Sequence, residues 1–293
     1  MPSFYPFNFG GLPEEFSELE NSRYVVLPIP YEITTTYGKG TKKAPKAIIE
    51  ASRNMELYDE ELFSRPYLKG ICTLDDLLFE SILPEDMVET VFECASDFIS
   101  KGKTLISLGG EHSISYPLFL AHSKFYEDLG VLQIDAHLDL RESYEGTPFS
   151  HASVMRRIYD KCKNVVQVGI RSLSEEEGEF IKSDYKGKIF WAKECYGNID
   201  WIEKVLESLP QNVYLTFDVD GLDPSIMPST GTPEPGGINY YDSLHLLRRV
   251  ANKKNIVGMD FTEFIPSPPF VSPDFLIGKI IYKMIGYIEE KSR

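Results

Sequence analysis

Cysteine is scarce and dispersed. The four in 293 residues are Cys72, Cys94, Cys162 and Cys195, and no two form a C-x-x-C pair. That spacing argues against a disulfide framework and a thiolate metal site, and a reducing cytoplasm is the expected compartment. Long apolar runs are missing too. Nothing approaches the roughly 18 apolar residues of a membrane span. The opening MPSFYPFNFGGLPEEFSE has neither a basic start nor a continuous apolar stretch, so no secretory signal is expected. Positive charge is in short supply: 30 Lys and Arg against 45 Asp and Glu leave a net charge of −15. Nucleic acid and anionic membranes require basic patches, so neither is an expected partner. The acidic excess serves solubility or suits a cationic small molecule. The glycine- and lysine-rich GKGTKKAP at 38–45 lacks the G-x-x-x-x-G-K-[ST] order and is not a phosphate loop.

What the chain does have is core-forming material, with 42% hydrophobic and 13% aromatic residues. Short apolar runs recur at 23–30, 104–110, 131–137, 165–171, 188–194, 213–220 and 256–263. Most are apolar at successive positions, as parallel strands covered on both faces should be. Amphipathic helical patterns fall between them, at 85–101, 113–127, 151–162, 174–184, 199–210 and 240–254, and 273–291 closes the chain. Alternating strand and helix predicts an α/β fold, a three-layer α/β/α arrangement around a mostly parallel sheet. No linker, charge block or repeat divides the chain, so residues 1–293 are expected to form one domain.

The chemistry gathers at the ends of these runs. VLQIDAHLD, at 131–139, delivers Asp135, His137 and Asp139; read as extended backbone, alternate positions place them on one face. YLTFDVDGLDP delivers Asp218 and Asp220 in the same way, LISLGGEHS ends in Glu111 and His112, and GMDFTEF carries Glu263. Ligands bind outside the carboxyl ends of strands in open parallel sheets, so four such ends converge on one rim. Each motif alone has a plainer reading. Asp-Ala-His could cap a helix, DVDGLDP could be an acidic turn, and GGEHS a glycine turn with Ser113 as N-cap. All of them together, each after a buried run, read as a metal site. Carboxylates and imidazoles without thiolate favour Mn²⁺, Mg²⁺, Fe²⁺ or Zn²⁺. Four aspartates with two neutral histidines carry a charge that two divalent ions balance, and two such ions can activate water for hydrolysis.

These motifs carry a resemblance. LGGEHS, DAHLD, SHASVMRRI, TFDVDGLDPSIMPSTGTPEPGG and DFTEF stand in the order and spacing of the ureohydrolases, the arginase and agmatinase family, and YEITTTYGKGTKKAPKAIIEAS resembles that family's opening loop and first helix. The resemblance runs from about Tyr24 to near the C-terminus. It implies an arginase-like fold and two Mn²⁺ per subunit. His112, Asp135, Asp139 and Asp218 would hold one ion, and His137, Asp135, Asp218 and Asp220 the other. It assigns Glu263 to the substrate guanidinium and His151 to proton transfer, and it implies a homo-oligomer, trimeric or hexameric. General chemistry agrees: a planar guanidinium suits a carboxylate partner, and a basic leaving amine needs a proton donor. The family more often has Asp where Glu111 stands, which bears on how His112 is oriented.

The substrate is read from residues 140–147, LRESYEGT. Two acidic residues and an aromatic suit a free amine better than a carboxylate, so agmatine, cleaved to urea and putrescine, is the expected substrate. Aminopropyl-extended agmatine is a close variant. Arginine, guanidinobutyrate and formiminoglutamate follow, the last because Arg141 could hold an acid. A catalytically idle metal-binding paralogue is the contrasting reading, though no motif residue is missing. A binuclear phosphatase lacks its basic cluster. His122 and His245, outside every motif, are expected to serve packing or surface, and Trp191 and Trp201 core or interface. The run Glu175–Glu177 is expected to open a helix.

Overall fold

The structure, a computed structural model, describes residues 6–291. One sheet contains β1 (Tyr24–Ile29), β2 (Ile71–Thr73), β3 (Thr104–Gly109), β4 (Leu129–Ile134), β5 (Val165–Ile170), β6 (Lys188–Trp191), β7 (Asn212–Asp218) and β8 (Asn255–Thr262). The order is β2-β1-β3-β8-β7-β4-β5-β6, and every pairing is parallel. The helices are α1 (Ala44–Ser52), α2 (Pro84–Ser100), α3 (Ser115–Ser123), α4 (Val154–Lys161), α5 (Glu175–Ser183), α6 (Trp201–Ser208), α7 (Tyr240–Lys253) and α8 (Ser272–Glu290). All seven expected apolar runs contain strands. β2 was not anticipated, because its three residues are too few to show a pattern. Among the described residues no helix is long and apolar enough to cross a membrane.

Strand pleating explains the three layers. Tyr24 and Val26 of β1, with Val213, Leu215 and Phe217 of β7, face a core shared with α1, α6, α7 and α8. Val25, Leu27 and Tyr214 point the other way, into a core with α2, α3 and α4. Both faces are dry, which is why the strands are apolar at consecutive positions. Each buried Val, Leu or Ile contributes roughly 1.5–3 kcal/mol relative to exposure. α8 lies so deep that Lys283 is buried, yet its ammonium is matched by Asp59 at 3.1 Å, Glu60 at 2.9 Å and Glu61 at 3.3 Å.

His122 takes the packing role expected of it, while His245 is exposed. The His122 ring is fully buried beside Tyr214, and Gly258 of β8 leaves room where a Cβ would collide with it. Its Nδ1 lies 2.7 Å from the Leu118 carbonyl. Burial pushes the imidazole from its ordinary 6.5 to about 4. The folded chain therefore refuses a proton that the unfolded chain accepts, and stability falls as pH drops from about 6.5 to about 4, by on the order of 3 kcal/mol in full. His122→Gln should flatten the urea midpoint across that window relative to wild type; parallel profiles would assign the acid sensitivity elsewhere.

Candidate binuclear metal centre and substrate pocket

The chemistry-bearing strand ends belong to four neighbours, β3-β8-β7-β4. β3 and β4 follow one another in the chain, yet β8 and β7 lie between them, so the chain reverses its winding direction here, and such a switch opens a crevice. After β3, Gly110 passes so close to the Tyr31 carbonyl that any Cβ would overlap it. A 3-10 turn then presents His112, which is 1% exposed.

The expected extended path for Asp135, His137 and Asp139 is not what brings them together. β4 ends at Ile134, and Asp139 has φ 52, in the left-handed region. Side chains bond back to the main chain instead. The His137 N–H donates to Asp135 Oδ1 at 2.6 Å and the Ala136 N–H to Asp220 Oδ1 at 3.0 Å. Asp220 likewise lies in a 3-10 turn, where its N–H donates to Asp218 Oδ1 at 2.9 Å. These short polar turns aim the carboxylates more tightly than pleating could.

Two groups result. His112 Nδ1 is 3.0 Å from Asp139 Oδ2, 3.2 Å from Asp135 Oδ2 and 3.4 Å from Asp218 Oδ2. His137 Nδ1 is 3.0 Å from Asp220 Oδ2 and 3.6 Å from Asp135 Oδ1. Each group, His112/Asp135/Asp139 and Asp135/His137/Asp220, is compact enough to hold one ion, and Asp135 belongs to both through different oxygens. The electrostatics point the same way. Asp135 is held well below the carboxylate range: burial opposes this, but hydrogen bonds and charge from His112 and His137 outweigh it. Burial and the Asp135 charge push Asp139 up to about 7. Burial, with the charges of Asp220, Asp135 and Glu263, drives Asp218 upward as well. Despite burial, hydrogen bonds to Asp135 and Asp139 drive His112 upward, and the Asp220 charge leads the same rise for His137. Buried carboxylates and imidazoles that depend so strongly on opposite charge make a donor set that fits two divalent ions.

A cavity of about 200 Å³ opens over these groups and is also lined by His151, Glu263, Arg141, Tyr144 and Glu177. Glu263 follows β8 with φ 63, a strained setting for a non-glycine residue, and its Oε1 accepts the His112 N–H at 2.7 Å. Burial, then the Glu111 charge, drives its carboxyl upward. Burial and the neighbouring imidazoles push His151 down to about 4. The loop after Asp139 departs from the sequence reading. Glu142 bonds outward to Arg156 at 2.8 Å and Arg157 at 2.9 Å, and Glu145 is exposed, so Arg141 and Tyr144 face the cavity instead. Glu111, whose role the sequence left open, accepts from the Ile33 and Thr34 N–H groups, each at 2.6 Å.

A family model described as the arginase family matches residues 22–286. The chain belongs to the arginase family. It is 38% identical to an N(1)-aminopropylagmatine ureohydrolase of Synechocystis sp., with 98% of each chain covered. It is 36% identical to an agmatinase of Bacillus anthracis over 84% of this chain and 85% of that one. The structure of an agmatine ureohydrolase of Thermoplasma volcanium superimposes with a TM-score of 0.88 at 33% identity, covering 99% of this chain and 96% of the other. This arginase-family chain is accordingly a hydrolase of guanidino groups.

Residues that sequence reading passed over hold the family's loops in place here. Arg171, at the end of β5, gathers carbonyls from separate segments: Asp220 at 2.7 Å, Glu234 at 2.7 Å and Gly169 at 3.0 Å. Its backbone N–H also bonds the Ala136 carbonyl at 2.8 Å. A buried amide chain runs through the sheet to Asp135: Tyr185 donates to Gln167, Gln167 to Gln133, and Gln133 Nε2 to Asp135 Oδ2 at 2.6 Å. Glu177 both caps α5 with Ser174 and accepts the Leu140 N–H at 2.9 Å. The run Glu175–Glu177 could signal only the cap. Arg171→Leu should lower unfolding free energy by about 2–3 kcal/mol, since it strands buried carbonyls. It should also weaken metal uptake, and calorimetric titration with Mn²⁺ would read both occupancy and affinity. Unchanged binding would show that these loops hold their shape without it.

Proposed function

We propose that the chain is a binuclear Mn²⁺ ureohydrolase acting on a guanidinoalkylamine, aminopropyl-extended agmatine first and agmatine second. The observation that carries the reading is Asp135 shared between two imidazole–carboxylate groups, with Glu263 and His151 in the same cavity. His112, Asp135, Asp139 and Asp218 would hold one ion, and His137, Asp135, Asp218 and Asp220 the other. Bound there, the ions activate water and stabilise developing negative charge.

The chain's own groups supply the rest. Glu263 accepts paired hydrogen bonds from the guanidinium and so orients its carbon. His151, neutral at physiological pH because burial pushes it down to about 4, takes up the proton released as water adds to the guanidino carbon and hands it to the amine nitrogen as the carbon–nitrogen bond to the alkyl chain breaks. Tyr144 and Arg141 flank the channel along which the alkyl chain leaves, their side chains stacked with 5.2 Å between guanidinium carbon and ring centroid. Since Glu142 and Glu145 do not face this channel, the preference for an amine over a carboxylate rests on the similar ureohydrolases rather than on acidic residues of this loop. The relative matched over 98% of both chains supports the longer substrate.

Urea release by Mn²⁺-loaded and chelator-treated protein, with aminopropylagmatine, agmatine, arginine and formiminoglutamate (scored as formamide) in parallel, tests this. Metal-dependent urea from the two agmatine-type amines is expected, with the higher kcat/KM on the longer one. Faster cleavage of an acidic substrate would overturn the specificity. His151→Asn should lower kcat by about 10²–10⁴-fold at full metal occupancy. Asp135→Asn should weaken both ions in a Mn²⁺ titration, whereas loss of only one would refute its shared role.

A further inference from the structure

His151 sits against a hydrogen-bond arrangement that no motif signalled. Glu111, fully buried, uses both oxygens as acceptors. Oε2 takes the Ile33 and Thr34 N–H groups, each at 2.6 Å, and Oε1 takes the hydroxyls of Thr34 and Ser113, each at 2.7 Å. Burial raises the Glu111 carboxyl, but the four donors that converge on it favour its ionised form; as a carboxylate it has no proton to give, so the single hydroxyl proton of Thr34 is committed to Glu111. Thr34 Oγ1 then has only lone pairs left. One accepts the backbone N–H of His151 at 3.1 Å, and the other faces His151 Nδ1, also at 3.1 Å. A hydroxyl oxygen whose proton is already used can only accept, so Nδ1 must be the donor.

We propose that Thr34, anchored by Glu111, is a positioning residue that fixes His151 as the Nδ1–H tautomer, leaving Nε2 to accept and release the proton. The catalytic part of this assignment rests on the reading of His151 as proton carrier. The tautomer itself does not. Thr34 is 5% exposed and supplies two of the contacts to His151, one to the main chain and one to the ring. It therefore sets ring orientation as well as protonation. Tyr144 also packs on the ring at a steep angle, with centroids 5.5 Å apart. A threonine 117 residues away in sequence thus does for this imidazole what a carboxylate does in many hydrolases.

The test is ¹⁵N-histidine NMR of the protein loaded with diamagnetic Zn²⁺, the His151 signals being assigned by comparison with His151→Asn. Wild type and Thr34→Ser should show a protonated Nδ1 and a bare Nε2. Thr34→Val, nearly isosteric but without the hydroxyl, should show a mixed or inverted pattern. Glu111→Gln should do the same, because the Thr34 proton is released towards Nδ1. In Mn²⁺-loaded protein, Thr34→Val should lower kcat about 10–100-fold, the loss typical where a partner that orients a metal-bound histidine is removed. KM should stay within about twofold and Thr34→Ser should restore turnover. An Nε2–H ring in wild type overturns the proposal, as does an Nδ1–H ring that persists in Thr34→Val. If the tautomer follows Thr34 while His151→Asn keeps wild-type turnover, the reading of His151 as proton carrier fails and the positioning assignment stands.

Discussion

The constraint on which this structure turns is the burial of several carboxylates at one point on the sheet's carboxyl rim. Asp135, Asp139, Asp218, Asp220 and Glu263 are all less than a tenth exposed. Taking each ion out of water costs several kcal/mol unless opposite charge or hydrogen bonds offset it. The chain offers two imidazoles, a set of main-chain N–H groups and the Gln133 amide, and even so Asp139 and Asp218 are driven towards the protonated form. A cluster so arranged could hold cations, and its own imidazoles and amides leave it electrostatically frustrated. The two cores on either side of the sheet supply the stability that offsets this frustration.

The same constraint explains the backbone. Asp139 and Glu263 both adopt positive φ, Glu263 directly after β8 and Asp139 in the loop that follows β4. Regular strand geometry places consecutive carboxylates too uniformly to surround a point, so the chain leaves the pleat and closes short turns on its own side chains. Those turns need anchors. Arg171 gathers the carbonyls of the turns carrying Asp220 and Glu234, and Glu111 gathers the N–H groups of residues 33 and 34. One charged side chain collects acceptors and the other donors, and between them the walls of the cavity hold without regular secondary structure.

Much of this was legible residue by residue. The apolar runs marked seven of eight strands, because burial on both faces leaves a continuous hydrophobic signal; β2, at three residues, leaves none. The residues of the cluster were all named from LGGEHS, DAHLD, DVDGLDP and DFTEF, because carboxylates and histidines are conspicuous after buried runs. The reasoning behind them was only half right, since turns rather than strand alternation bring Asp135, His137 and Asp139 together. The loop at 140–147 misled for a related reason. Its acidic residues looked available to a substrate amine, but Glu142 is taken up by Arg156 and Arg157 of α4. Nothing local could show that.

By itself, then, the sequence determined the layered α/β fold, the identity of the polar residues at the strand ends and the family to which they belong. These follow from periodicity and residue type, which act over a few positions. Only the tertiary structure decided that β3, β8, β7 and β4 are neighbours, and that Thr34, Gln133 and Arg171 support the site. Those facts depend on contacts between segments tens to more than a hundred residues apart, such as Thr34 with His151. Chain geometry settles such contacts when the sheet closes and buried polar atoms must find partners.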